Sequence, residues 1–256
     1  MLALKLMLVP ALVAFVSLAG QRFGYAIAGM LAGFPIVAGP IFVLLSLEHG
    51  DAFGAEIATG TLIGLLSLTA FATCYSWLCR AAHWLPTLLL SWLAFAAVTL
   101  VLMDLKFGLL GASVAGALVP LLGYRLFPAA PWSARRPALP RSELLLRMIS
   151  AGALVVAVTE AAALTGPKLA GLLTPFPVST SVLTAFAHGL GGASAANQLL
   201  RGIFTGLYGF VAFFICAAAL LPAHGLATAC AVALVAALVT QGLVYRYLLR
   251  FKALQQ

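Results

Sequence analysis

The sequence predicts an all-α polytopic membrane protein of about nine transmembrane helices, arranged 5+4 as two inverted-topology repeats with proline-broken or kinked helices 2 and 7. Three observations predict it. The composition is 64% apolar and only 8% charged over 256 residues, with a mean hydropathy of +1.13. The apolar residues fall in continuous runs of the length that crosses a bilayer as helix, about 20 residues each. The chain also resembles itself at a fixed offset of 142 residues.

The composition excludes several classes at once. Soluble domains are about 45–50% apolar and about 25% charged, and a water-soluble chain of this size could not bury so much apolar surface. Disordered chains are poor in apolar residues and rich in charge. A transmembrane barrel would show apolar and polar residues in alternation rather than continuous runs. The net charge of +8 is spread over short loops, which reads as a topology signal and not as a nucleic-acid surface. Cys74, Cys79, Cys216 and Cys230 lie in or at the ends of apolar runs without metal-ligand spacing, so they read as packing residues.

In chain order, span 1 covers about Leu2–Ala19 and span 2 about Tyr25–Leu47. Lys5 and the Ser17-Leu18-Ala19 step imitate a signal peptide, but span 1 belongs to the internal repeat and is expected to stay. Spans 3, 4 and 5 cover Ala55–Leu78, Leu85–Met103 and Phe107–Leu122. The segment Pro128–Arg141 carries four prolines and three arginines, the composition of an extended, solvated linker. Spans 6 to 9 follow at Leu144–Leu164, Lys168–His188, Gln198–Leu221 and Leu226–Tyr247. The domain division is therefore repeat one at 1–126, linker at 127–142 and repeat two at 143–256.

Basic residues set the orientation. With nine spans, one face receives Arg22, Arg80, Arg125, Arg135, Arg136, Arg141, Arg147, Arg201, Arg246, Arg250 and Lys252, and the other only Lys5, Lys106 and Lys168. The crowded face is cytoplasmic by the positive-inside rule, which puts the N-terminus outside and the C-terminus inside. Treating spans 2 and 7 as re-entrant would scatter these charges over both faces. A bacterial inner membrane fits the short loops and the Ala- and Arg-rich composition.

The self-similarity pairs Ala28-Gly29 with Ala170-Gly171, Phe34-Pro35 with Phe176-Pro177, Gly50 with Gly192, Gly60 with Gly202, Gly64-Leu65 with Gly206-Leu207 and Cys74 with Cys216. Between positions 2 and 78 there are 21 identities without a gap, against roughly 8 for chance pairing of this composition. Copy one holds five spans, an odd number, so copy two enters the membrane from the opposite face. Inverted repeats of this kind are a recurrent plan of secondary transporters.

The Phe-Pro segments are the candidate site. Proline removes a helix donor, and unpaired backbone within a bilayer is tolerated only against protein or a wet cavity. Corresponding Pro/Gly-interrupted spans in two halves point to a binding site, where half-helix N-termini meet a polar or anionic group. The candidate substrate-binding residues are Phe34, Pro35, Gly39, Pro40, Phe176, Pro177, Ser179, Thr180 and Ser181. The two segments are expected to approach each other and line a cavity, with Gly39 leaving room where Ser181 supplies a hydroxyl. Packed proline kinks are the plainer alternative for either helix alone. Glu56 and Glu160, with Asn197 and Gln198, are candidates for ion or proton coupling, since ionisable groups in spans are costly. Gly60/Gly64 and Gly202/Gly206 read as close-packing steps. His49 and His188 read as interfacial residues at span ends.

The expected function is a small secondary transporter or exporter of a polar or anionic small molecule, working by alternating access. A channel or lipid-handling permease is the alternative. A membrane enzyme is expected least, because no metal pair, nucleophile elbow or carboxylate pair occurs, and there is no P-loop for ATP. No cofactor or metal is expected. The partners are a small-molecule substrate and the lipid bilayer, with no nucleic acid and with a homo-oligomer left open.

Overall fold

Short joints link one helix to the next in a computed structural model of the chain, which describes residues 2–36, 38–105, 107–128, 141–164 and 176–253. Among these residues there is no strand. The helices are α1 (Leu2–Phe23), α2 (Tyr25–Ala32), α3 (Ala38–His49), α4 (Asp51–Leu78), α5 (Trp84–Leu102), α6 (Leu109–Leu126), α7 (Arg141–Leu164) and α8 (Val178–Ala253). The backbone leaves helical geometry within α8 at Gly192 and Gly225, so α8 comprises stretches 178–191, 193–224 and 226–253.

Four of these segments are long and apolar enough to cross a membrane: Asp51–Leu78, Trp84–Leu102, Leu109–Leu126 and, within α8, Val178–Leu248. Apolar residues face outward as well as inward. Leu89, Leu93 and Leu100 on α5, Leu110, Val114 and Leu121 on α6, and Val235, Leu238 and Val239 on the last stretch of α8 are all exposed. A soluble bundle would place polar residues there, so these faces suit hydrocarbon.

Spans 3 to 6 begin and end within a few residues of the predicted limits. Span 2 is broken, as α2 and α3 are separate helices on either side of Pro35. The ring cannot donate a helix bond, and the chain makes a tight turn in which Ile36 N–H bonds the Phe34 carbonyl at 2.8 Å and Gly39 N–H bonds that of Pro35 at 3.0 Å. The same pattern recurs 142 residues later, with Val178 N–H on the Phe176 carbonyl and Ser181 N–H on that of Pro177, both at 2.8 Å. The first part of span 7, up to residue 175, and most of the proline linker lie outside the described residues.

A second backbone feature recurs at the same offset. Gly50 joins α3 to α4 with φ 90 and ψ 169, and Gly192 joins the first two stretches of α8 with φ 70 and ψ −169. Positive φ with extended ψ is essentially a glycine-only conformation, and here one residue reverses the helix direction. Beyond Gly50, Gly54 comes back beside Ser46 of α3.

The contacts place the helix ends in two groups. At one end Ser17 meets Arg147, Tyr25 lies over Gly191, Cys79 meets Asn197, and Arg201 meets the chain after α6. At the other end Asp51 lies beside Gly225 and Gly54 beside Leu221. Stretch 193–224 therefore runs antiparallel to α4, with Phe42, Phe71, Phe214, Leu62 and Ile203 among the fully buried residues of the core.

The tightest crossing in the core is that of α2 over stretch 193–224. A methyl on Gly29 would fall 2.1 Å from the Leu199 carbonyl oxygen, and one on Gly202 would fall 2.2 Å from that of Ala26. Gly33 and Gly206 face one another in the same way, one turn on. Small residues let backbones approach in a bilayer, where dispersion contacts replace the hydrophobic drive. The expected role of Gly202 and Gly206 is thus seen, with α2 as partner. Gly60, the repeat partner of Gly202, has open space where a methyl would go.

Candidate functional site

Buried polar side chains concentrate between α4, α5 and stretch 178–191. On α5 the hydroxyl-bearing Thr87, Ser91 and Thr99 recur at helical spacing and all face inward. On α8 Ser181, Thr184 and His188 share one face by the same spacing. On α4 the contributors are Ser67 and Tyr75, with Cys79 just past its end. Together they form a polar seam that follows the helices for most of their length.

The Thr99 hydroxyl lies 2.8 Å from both the Ser67 hydroxyl and the Phe95 carbonyl. A carbonyl only accepts, so Thr99 gives its single proton to Phe95 and receives that of Ser67. Next along the seam the Trp92 indole Nε1 donates to Ser181 Oγ at 2.9 Å. Phe176 stacks nearby on Trp92 and Phe95, with ring centroids 5.3 and 5.7 Å apart. Then come Thr87 and Thr184, both fully buried, whose hydroxyls meet no hydrogen-bond partner. The Tyr75 hydroxyl lies 3.3 Å from His188 Nδ1. At the end of the seam Asn197 Nδ2 donates to Cys79 Sγ at 3.4 Å, while Asn197 Oδ1 and Gln198 Oε1 are buried without a partner. Burial pushes the Cys79 thiol up to about 11, against the opposing Asn197 hydrogen bond and the nearby Arg80 charge.

Unpaired buried hydroxyls and amides are costly, on the order of 1–3 kcal/mol each, and native interiors contain few of them. Their gathering along one seam marks the part of the molecule built to exchange hydrogen bonds. The seam carries no fixed charge along its length; Arg80 and His83 stand at its end. Among the described residues no three His, Cys, Asp or Glu side chains gather as a metal site.

The equivalent face of the other copy is apolar. Subtracting 142 turns Ser181 into Gly39, Thr184 into Phe42 and His188 into Ser46; adding it turns Tyr75 into Ala217, Thr87 into Ala229, Ser91 into Ala233 and Trp92 into Leu234. Thr99 becomes Gln241, whose amide is buried with neither end paired, over Gly209.

The residues expected to bind substrate therefore fall in different surroundings. Ser181 lies in the seam, with Phe176 packed on the aromatic residues of α5. Pro177 is buried, and Ser179 and Thr180 are half-buried at the start of α8. Phe34 instead packs against Gly209, Gly39 is buried facing Phe213, Pro35 is buried and Pro40 is exposed. Asn197 and Gln198 are buried beside Cys79, whereas Glu56 is exposed on α4. Glu160 lies in α7, with its side chain outside the described residues. Two small cavities, of about 20 and 10 Å3, lie away from the seam, and each has room for about one water. The second adjoins Arg147, a buried cation held by Glu143, by Ser17 and by the Phe186 ring.

Sequence reading missed Tyr75, Thr87, Trp92 and Thr184. Their signal was the polar spacing on α4, α5 and span 7, visible only once those faces are known to meet.

These features define an all-helical protein with segments of membrane-crossing length and apolarity. Comparison with known proteins finds no matching family, no matching curated sequence and no matching solved structure.

Proposed function

We propose that the chain is a small secondary transporter that passes an uncharged polar solute along the seam by alternating access. The observation that carries this is the Trp92–Ser181 hydrogen bond, flanked by the unpaired buried hydroxyls of Thr87 and Thr184. A solute with donors and acceptors replaces such bonds at little cost. The absence of a fixed charge along the seam favours an uncharged solute over an anion.

The architectural part of the proposal is nine spans in two inverted repeats, with a cytoplasmic C-terminus. Its support is the recurrence at one offset of the Phe-Pro turn and the Gly50/Gly192 reversal, together with the alternation of helix ends. The asymmetry between copies, polar in one and apolar in the other, is how a repeated frame would hold one asymmetric solute.

Two measurements test this. In a cysteine-free background, cysteines placed at 135 and 252 should label from the cytoplasmic side, and one near residue 2 from outside. Labelling of both termini from one side would refute nine spans. Thr184→Cys should react with a small methanethiosulfonate reagent from either side of the membrane. Reaction from neither side would refute alternating access.

A further inference from the structure

We propose that the notch between α6 and stretch 193–224 of α8 binds the phosphate of an anionic phospholipid headgroup. The notch is the 20 Å3 cavity, and its lining includes Tyr124, Phe127, Arg201, Thr205 and Tyr208. Arg201 is fixed there. Its Nε donates to the Pro128 carbonyl at 3.2 Å, and its Nη2 to the carbonyls of Phe127 and Pro128 at 3.0 and 2.8 Å. The guanidinium lies over the Tyr124 ring, 5.4 Å from its centroid. Nη1 is left without an acceptor, and carbonyl oxygens supply no net charge.

No carboxylate in the chain is placed to neutralise it. Of six acidic residues, Glu143 is bonded to Arg147, and Asp51 lies at the opposite end of the bundle, as shown by Gly225. Glu48 and Glu56 lie within a turn or two of Asp51 in sequence, and Asp104 follows the far end of α5. Glu160 is 13 residues beyond Arg147 along α7, about 20 Å at 1.5 Å per residue. The linker after Pro128 contains no acidic residue at all. The counter-charge of Arg201 must therefore come from outside the chain.

The surroundings fit a lipid. Tyr124 is exposed at the end of α6, beside the exposed Arg125, with the outward apolar row Leu110, Val114, Leu118 and Leu121 running away from it. Aromatic residues favour the headgroup level, and basic pockets between helices on the cytoplasmic side suit anionic headgroups. The cavity admits a single oxygen-sized group, so one phosphate oxygen would enter against Nη1 while the acyl chains lie along α6. This site requires only that the protein resides in a bilayer, and it stands apart from the seam and from the transport reading.

The test uses the purified full chain in detergent with phosphatidylglycerol, phosphatidylcholine or inorganic phosphate, read by native mass spectrometry and thermal stability. One phosphatidylglycerol should be retained with at least fivefold higher occupancy than phosphatidylcholine and should raise Tm. Arg201→Gln should lower that occupancy at least fivefold. Thr205→Met should do the same by filling the notch with the arginine anchor intact, which covers the case of a misfolded Arg201→Gln. Arg125→Gln should leave it within twofold. Equal retention of the two lipids, or wild-type binding by Thr205→Met, would overturn the proposal. A Tm rise with inorganic phosphate equal to that with phosphatidylglycerol would replace the lipid by a free anion.

Discussion

Trp92 and Ser181, 89 residues apart in sequence, share a 2.9 Å hydrogen bond that fixes α5 against the first turn of α8. The indole can only donate, and this hydroxyl is its one partner. Ser181→Ala therefore strands a buried N–H and should cost about 1–3 kcal/mol, whereas Trp92→Phe should cost less at the polar group itself. A double-mutant cycle on unfolding in detergent should return a coupling of about 0.5–1.7 kcal/mol. Zero coupling would show that the bond contributes nothing to stability.

The paired glycines 60 and 202 should answer the same substitution in opposite ways. Gly202→Ala drives a methyl to 2.2 Å from the Ala26 carbonyl, with backbone on both sides, and should lower Tm steeply or prevent folding. Gly60→Ala meets open space within a helix and should raise stability by up to about 1 kcal/mol. Comparable losses in both would contradict the crossing of α2 over α8.

Gly50 and Gly192 separate strain from space. A methyl on either touches nothing within 4 Å, so Gly50→Ala and Gly192→Ala should each cost about 1–3 kcal/mol through the backbone alone. Unchanged unfolding midpoints would mean that the chain reverses there by some other geometry.

Cys79 should be a slow nucleophile. Its thiol is pushed up to about 11 by burial, and only the thiolate attacks. In a variant retaining Cys79 as its sole cysteine, maleimide labelling at pH 8 should run about 100-fold slower than for an ordinary exposed cysteine, and it should rise between pH 10 and 11. The sign for stability follows: the neutral thiol is favoured in the folded state, so that contribution is full below the unfolded pKa of about 9 and fades as pH climbs through about 11. Fast labelling at pH 8 would contradict the burial.

Much of the helical frame was legible in the sequence, because apolar run length and proline position act locally. The ends of α4, α5 and α6 follow from where those runs stop. The break at Pro35 follows from a missing donor, and the recurrence of its turn at Pro177 follows from the repeat. The candidate site was legible only in part. Ser181 was named because it follows a Phe-Pro step, yet its surroundings come from Trp92 on another helix, which no local pattern announces.

The sequence by itself determined an apolar, all-helical chain with glycine reversals and proline breaks at a shared offset, since each of these depends on the residue and its immediate neighbours. The tertiary structure decided which faces meet. It set Gly29 and Gly33 on Gly202 and Gly206, left Gly60 open, and gathered the hydroxyls of α5 and α8 into one seam while their counterparts became alanine and phenylalanine packing. In so apolar a chain nearly every helix face can be buried at similar cost, so burial alone does not choose partners. Close backbone approach and a few hydrogen bonds do, and both arise only when the helices are brought together.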